Sequence, residues 1–189
     1  MVLVVDVDDV WLFGPSESDM KKVLDKLKLD GFELKLEKSG GQQMYDFLGI
    51  NVSETIDEKG NRIVKFTQLG LIKKFLECVG MTECNPNVVP CNIQPLGTDA
   101  KGQSHFEDWD YASAVGMLMY LAGNAYPEIQ YAVHQCACFT HAPKHSHTKA
   151  AKHIARYLMT VFDKKQGLYY VVTKNLHLDL YCDADYAGL

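Results

Sequence analysis

Two adjacent aspartates, Asp8 and Asp9, interrupt an apolar stretch near the start of the chain and limit what that stretch can fold into. Apart from Asp6, the other residues from Leu3 to Phe13 are apolar and predict two short strands in a hairpin with the acids at its tip. Adjacent carboxylates repel each other and are costly to bury. A bound divalent cation removes that conflict, because Mg²⁺ prefers hard oxygen ligands. The alternative is a solvated turn, for which Asp is a favoured residue.

Residues 1–66 predict an α+β unit that combines one helix with short strands. Apolar residues recur at helical spacing between Met20 and Leu27, and Ser16 is placed to cap that helix. Turn residues and alternating apolar and polar residues predict further strands at Phe32–Leu36, Met44–Val52 and Arg62–Phe66.

Residues 67–162 are predicted to be mainly helical. An apolar stripe from Leu69 to Val79 predicts one helix, and a helical pattern broken by two prolines runs from Asp108 to Val161. Between them, residues 82–107 contain three prolines and little periodicity, which predicts a linker loop. The remaining residues, 163–189, predict a β-hairpin of two strands, Gly167–Val172 and Leu176–Cys182.

The composition excludes several classes of protein. With 47% hydrophobic and 23% charged residues, the chain has enough apolar side chains for a packed core, which argues against disorder. Its apolar runs are too short to span a bilayer, and the early acids interrupt any signal-peptide core. The six cysteines have no C-x-x-C pair and no framework spacing, which predicts reduced thiols in an intracellular protein.

Positive charge is concentrated late in the chain. The net charge of -5 divides into -6 for residues 1–60 and +1 for residues 61–189. A helical wheel places four basic side chains in one stripe opposite an apolar face: His145, Lys149, Lys152 and Arg156. With no acid among them, this face is predicted to contact a phosphate backbone. A solvated amphipathic face without a partner is the alternative.

A cluster of thiols and imidazoles raises the question of zinc. Cys136 and Cys138 precede His141, His145 and His147. The C-x-C spacing is tighter than the usual zinc knuckle, and both cysteines follow an apolar helical register. The sequence therefore predicts core thiols, and no zinc is expected.

Taken in order, several motifs resemble those of copia-type retrotransposon reverse transcriptases along nearly the whole chain. The first hairpin resembles their x-V-D-D hairpin, and Phe47, Leu48 and Gly49 look like part of the strand that grips the primer. Three later runs are similar to the family patterns VGxLxYL…RPDIxYAV, HxxAAKRxxRYL and YSDADWAG: Val115–Val133, His147–Leu158 and Tyr181–Gly188.

The resemblance implies RNA-directed DNA synthesis with deoxynucleoside triphosphates, an RNA or DNA template and a DNA primer. The implied metal is Mg²⁺, with Mn²⁺ as a possible substitute. Asp8 and Asp9 match two of the three catalytic, metal-binding carboxylates. The third carboxylate and the fingers are expected upstream of this chain, so the isolated chain is predicted to be inactive. Asp183 matches the first acid of an RNase H site whose other acids are expected beyond Leu189.

The same resemblance implies three parts of a Pol polyprotein, with no membrane contact and, for the family, a place in a cytoplasmic virus-like particle. Residues 1–66 are expected to be a partial palm, residues 67–162 a helical thumb or connection, and residues 163–189 the start of RNase H. Asp6, where the family has an aromatic residue, and Ala112 and Tyr126, where it has Arg, depart from the pattern. A non-catalytic nucleic-acid-binding remnant of a decayed element is therefore the alternative function.

Overall fold

The structure, a computed structural model, describes residues 2–6, 9–13, 16–34, 44–91 and 94–172. None of the helices in these ranges has the length and hydropathy that crossing a bilayer requires. The strands and α-helices in the same ranges are, in chain order, β1 (Val2–Asp6), β2 (Asp9–Phe13), α1 (Glu17–Leu29), β3 (Met44–Phe47), β4 (Ile50–Ile56), β5 (Arg62–Thr67), α2 (Leu69–Cys78), α3 (Tyr111–Asn124), α4 (Gln130–Ala137), α5 (His145–Asp163) and β6 (Leu168–Val171).

Strands β3 to β6 form one antiparallel sheet in chain order. Leu48 and Gly49 turn the chain between β3 and β4, so the single strand predicted over Met44–Val52 is wrong. Between β4 and β5, the Asp57 carboxylate accepts the backbone N–H of Asn61 at 2.7 Å. This side-chain bond fixes the tight connection that aligns the two longest strands of the sheet.

The first helix forms as the sequence predicts. The Ser16 hydroxyl caps α1 by accepting the backbone N–H of Asp19 at 3.4 Å. No residue of α1 is buried, because its apolar stripe meets no core. Residues 32–34 form no strand, so the prediction of a strand over Phe32–Leu36 is wrong in its described part. Residues 35–43, which include the remainder of that prediction, lie outside the described residues.

Helices α2 to α5 form a bundle that contains most of the buried apolar side chains in the described ranges. Phe75 from α2, Leu118 from α3 and Leu158 from α5 are all completely buried there. The apolar face predicted for α5 is confirmed by these contacts. Full burial of side chains of this size stabilises a fold by about 1.5–3 kcal/mol each. The bundle is therefore the main source of stability among the described elements.

The loop predicted between the first two bundle helices is not a free linker. We call its residues 85–91 and 94–107 the strap, because they run along α5 and are hydrogen-bonded to it. The backbone N–H of Asn87 donates to the Arg156 carbonyl at 3.0 Å, and the Thr160 hydroxyl donates to the Asn87 carbonyl at 2.8 Å. At the other end, the backbone N–H of His145 donates to the Gln103 carbonyl at 2.8 Å.

Strand β6 returns the chain to the sheet. Leu168 and Val171 pair with Phe66 and Ile63 of β5. The residue just before this pairing is Gly167, where a side chain does not fit because its Cβ would collide with the Phe66 carbonyl oxygen. The first strand of the predicted C-terminal hairpin is thus present, while Leu176–Cys182 lies outside the described residues. The sheet continues across the predicted boundary at residue 163.

Candidate functional site

The predicted N-terminal hairpin forms, with β1 paired antiparallel to β2. β1 ends at Asp6 and β2 begins at Asp9, and these two residues are register partners. The residues between these strands, Val7 and Asp8, lie outside the described residues. Asp9 lies in a strand and not at the tip, and Asp8 lies outside the described residues, as does Asp183.

Both faces of this hairpin are apolar and exposed. Successive strand residues point to opposite faces, so Val2 and Val4 lie on one face while Leu3 and Val5 lie on the other. All four side chains are exposed, with 59% of the Val2 and Val5 surfaces accessible to solvent. Runs that are apolar on both faces are typical of strands buried between two layers. The described part of the chain does not bury either face.

The primer-grip candidates form the tip of the hairpin β3–β4. Phe47 and Ile50 are register partners, which leaves Leu48 and Gly49 as a two-residue turn. Both have positive φ angles, 55° and 71°, as a type I′ turn requires. The Tyr120 hydroxyl of α3 donates a hydrogen bond to the Leu48 carbonyl at 2.8 Å. The turn is thereby tied to the helical bundle.

The basic stripe on α5 lies largely beneath the strap. The His145 ring stacks on Phe106 with a centroid separation of 5.2 Å. Arg156 Nε donates to the Asn85 carbonyl at 2.8 Å. Lys149 is exposed and, of the four predicted residues, is the one that the strap leaves open. The expectation of a basic face free to follow a phosphate backbone therefore needs correction.

An acid from the strap neutralises part of the same stripe. Glu107 Oε1 lies 2.9 Å from Lys152 Nζ. The hydrogen bond from Lys152 lowers the pKa of Glu107, with smaller contributions from its positive charge and from the nearby histidines. The sequence of α5 contains no acid in this stripe, but the fold brings one from elsewhere in the chain.

The cysteine and histidine cluster is divided between core and surface. Cys136 is buried as predicted, and burial raises the pKa of its thiol to about 11. Cys138 is exposed, so the prediction of a core thiol is wrong there because α4 ends at Ala137. Both ring nitrogens of His147 are engaged: Nδ1 accepts the Lys144 N–H at 2.9 Å and Nε2 donates to the Gly97 carbonyl at 2.9 Å. Within the described ranges, no three His, Cys, Asp or Glu side chains are grouped as metal ligands.

Tyr126, which departs from the family pattern by replacing an arginine, has a buried side chain that links two parts of the chain. The backbone N–H of Gln68 donates to the Tyr126 hydroxyl at 3.2 Å, and that hydroxyl donates to the Gln166 carbonyl at 3.3 Å. Burial raises the pKa of Tyr126. One phenol thus joins the start of α2 to the segment that leads into β6. The apolar residues around Tyr126 could have predicted that it is buried. A buried tyrosine usually has a hydrogen-bond partner for its hydroxyl.

The relatives of this chain include two transposon proteins. It is 28% identical over 189 residues to a putative transposon Ty5-1 protein of Saccharomyces cerevisiae, covering 99% of this chain and 57% of that protein. It is 29% identical over 189 residues to an uncharacterized mitochondrial protein of Arabidopsis thaliana, covering 100% of this chain and 72% of that protein. It is also 29% identical over 169 residues to a retrovirus-related Pol polyprotein from transposon TNT 1-94 of Nicotiana tabacum, covering 84% of this chain and 12% of that polyprotein.

These relatives confirm the resemblance found in the motifs: the chain is similar in sequence to transposon proteins, one of which is a retrovirus-related Pol polyprotein. It spans little more than half of the yeast relative and about an eighth of the tobacco polyprotein. No protein-family model matches the chain, and no solved structure matches it.

Proposed function

We propose that the chain is a segment of the RNA-directed DNA polymerase of a copia-type retrotransposon. In this proposal the hairpin β1–β2 and the sheet β3–β5 supply the late palm, and the bundle α2–α5 supplies the thumb. The residues after the bundle lead into RNase H. The partners are the rest of the Pol polyprotein, a primed RNA or DNA template and deoxynucleoside triphosphates. The homology to Pol sequences supports this assignment along nearly the whole chain.

The observation that carries the proposal is the exposure of an apolar hairpin next to two acids. An isolated two-stranded hairpin is at best marginally stable in water. The strands β1 and β2 expose Val2, Leu3, Val4, Val5 and Val10, a set that suits the interior of a larger sheet with layers on both sides. If other parts of a polymerase covered both faces of the hairpin, Asp9 at the end of the paired strands would lie at the edge of the buried region.

The same hairpin suits a magnesium site. Asp8 and Asp9 would hold Mg²⁺ through hard carboxylate oxygens, the ligands that this ion prefers. The register of β1 and β2 places Asp9 at one end of the paired strands, and Asp8 is its neighbour in sequence. A metal held there would supply activation of the primer hydroxyl and stabilisation of the leaving pyrophosphate. The contribution of the chain would be to supply both carboxylates, with Asp9 held on a paired strand.

Primer extension tests this proposal. A protein that joins the upstream Pol region of the parent element to this chain should extend a DNA primer on an RNA template with Mg²⁺. Asp8→Asn and Asp9→Asn should each abolish extension, because each removes a charged metal ligand. Asp19→Asn is the matched control, since Asp19 is an exposed acid paired with Lys22 on α1. The 189-residue chain alone should give no product.

Two results would overturn the proposal. One is the absence of extension by the joined protein when both carboxylates are intact. The other is extension that survives Asp8→Asn and Asp9→Asn. The remnant alternative predicts duplex binding through the α5 stripe, but the strap engages three of its four residues and leaves Lys149 exposed. The polymerase assignment is therefore the better supported of the two.

A further inference from the structure

The turn between β3 and β4 has an unusual residue in its first position. Leu48 has a φ of 55°, a left-handed conformation that costs free energy for a residue with a Cβ. Asn, Asp and Gly are the residues that usually occupy this position of a type I′ turn. The Leu48 side chain is 38% exposed, so the strain does not serve to bury it in the core. A contact from outside the hairpin must therefore help to hold the turn.

That contact comes from the helical bundle. The Tyr120 hydroxyl donates to the Leu48 carbonyl at 2.8 Å, although 72 residues separate the two in sequence. The Tyr120 ring is 42% exposed, so the bond lies at the surface where a large ligand can approach. A surface tyrosine that uses its hydroxyl on a strained turn fixes the position of that turn relative to α3.

The end of α3 fixes the sheet at a second place. Tyr126 follows the C-terminus of α3 and is hydrogen-bonded to Gln68 and Gln166. Gln68 directly follows β5, and Gln166 lies two residues before β6. Tyr120 holds the connection between β3 and β4. The C-terminal part of α3 and the residue Tyr126 that follows it are therefore hydrogen-bonded to two places. Tyr126 bonds next to β5 and β6, and Tyr120 bonds to the turn at Leu48. A shift of α3 would displace the turn.

We propose that Tyr120 is a positioning residue that sets the placement of the Leu48–Gly49 turn against the 3′-terminal nucleotide of a primer. This inference rests on the proposed polymerase function and adds a residue to it. Strained backbone conformations persist where the surrounding structure holds them and are common at ligand contacts. The phenol does not touch the primer in this proposal. It acts through the carbonyl of Leu48, and its loss frees the turn to move.

Photo-crosslinking tests the inference without requiring catalysis. The full 189-residue chain is mixed with a primer–template whose primer ends in 4-thiothymidine, irradiated and mapped by mass spectrometry. Crosslinks to the peptide that spans residues 44–56 are expected for the wild type. Tyr120→Phe should reduce that crosslink by about three- to tenfold, the range expected for loss of one hydrogen bond. The dissociation constant for the duplex should stay within about twofold, because no phosphate contact is lost.

Tyr131→Phe is the matched control, since Tyr131 is an exposed tyrosine on α4 with 53% of its surface accessible. It should leave both the crosslink and the affinity unchanged. A purely structural role for Tyr120 would lower the melting temperature and the affinity together without changing the distribution of crosslinks. That result would overturn the inference.

The failures of the two proposals can be told apart. No binding of the primer–template by the wild-type chain would overturn the inference, whereas the polymerase proposal is decided by primer extension with the joined protein. Binding without any crosslink in residues 44–56, or a crosslink that Tyr120→Phe leaves unchanged, would overturn the positioning role and leave the polymerase proposal standing.

Discussion

The N-terminal hairpin and the helical bundle are both rich in apolar residues, yet they differ in what covers them. Leu118 and Leu158 are fully buried between helices, whereas Val2, Val4 and Val5 are exposed on a two-stranded hairpin. The bundle brings four helices together around one core, while the hairpin has a single strand pair. Apolar composition alone therefore does not lead to burial. The hairpin has the composition of a buried strand pair, but no other described element packs on its faces.

This difference separates two kinds of function within the chain. The bundle is expected to provide a stable support, because most of the buried apolar area of the described residues lies in it. The hairpin is expected to acquire its final packing only in a larger assembly, which is where its acids would act. Substitutions in the two regions test that division.

Truncation in the bundle core should be the most damaging change. Leu118→Ala should lower the free energy of unfolding by about 2–5 kcal/mol, because it removes buried methyl groups and leaves a cavity. Val5→Ala in the hairpin is the control and should cost less than about 0.5 kcal/mol, since 59% of the Val5 surface is already accessible to solvent. Urea denaturation measures both. Equal losses of stability at the two sites would contradict this difference, because they would show that the hairpin is packed in the isolated chain.

Removal of the buried phenol at the junction should have the next largest effect. Tyr126→Phe leaves the Gln68 N–H and the Gln166 carbonyl without this partner and should cost about 1–3 kcal/mol of stability. Tyr131→Phe on the exposed face of α4 should change stability by less than about 0.5 kcal/mol. Thermal denaturation of the two variants side by side gives the comparison. A tolerated Tyr126→Phe would mean that the sheet and the bundle do not depend on this link.

An exposed glycine in the bundle offers a stabilising change. Gly116 of α3 is exposed, and a Cβ there would meet no atom within 4 Å. Gly116→Ala should therefore raise the free energy of unfolding by about 1 kcal/mol through helix propensity. Gly167→Ala is the control of opposite sign, because its Cβ would strike the Phe66 carbonyl. Chemical denaturation that shows a loss at Gly116 would contradict an open surface on α3.

The ion pair between strap and bundle should have the smallest effect, and one that depends on pH. The folded protein holds the pKa of Glu107 below its ordinary value of 4.5, chiefly through the Lys152 hydrogen bond. The resulting stability is present above that ordinary value and is lost as the pH falls through the lowered one. Glu107→Gln should cost less than about 1 kcal/mol at pH 7.

Unfolding titrations of wild type and Glu107→Gln between neutral and acidic pH test this sign. The difference between the two proteins should shrink as the pH is lowered, and a difference that grows would contradict it. Glu107→Lys is a useful companion for nucleic-acid binding, because it removes the acid beside Lys152. If that variant binds duplex more tightly and with a stronger dependence on salt, the result would support masking of the α5 stripe by the strap.

The sequence was sufficient for elements whose signals are local. The periodicity from Met20 to Leu27 and the capping hydroxyl of Ser16 predicted α1, and the apolar face of α5 was likewise visible from spacing alone. The turn at Leu48 was missed because leucine gives no signal for a positive φ, and Gly49 alone suits a bulge as well as a turn. Local patterns thus located the helices better than the strand boundaries.

The site was less predictable because its contacts join distant parts of the chain. Glu107 reaches Lys152, and Asn85 accepts a hydrogen bond from Arg156, although the intervening residues give no sign of either contact. The helical wheel of α5 was right about which residues share a face, but it contained no information about the strap. Placement of the paired acids in a magnesium site stays a prediction that the proposed extension assay addresses.

Because β5 and β6 lie side by side, the chain leaves the sheet and re-enters it at neighbouring positions. Phe66 and Leu168 are register partners, and adjacent strands are separated by about 5 Å. Residues 69–163 are thus organised as a cassette with neighbouring entry and exit points. Insertions whose ends are close together can be exchanged, circularly permuted or excised with little disturbance to their host. A short loop in place of the cassette would test whether the sheet can exist independently, and transplantation of the cassette between related elements becomes a practical route to chimaeras.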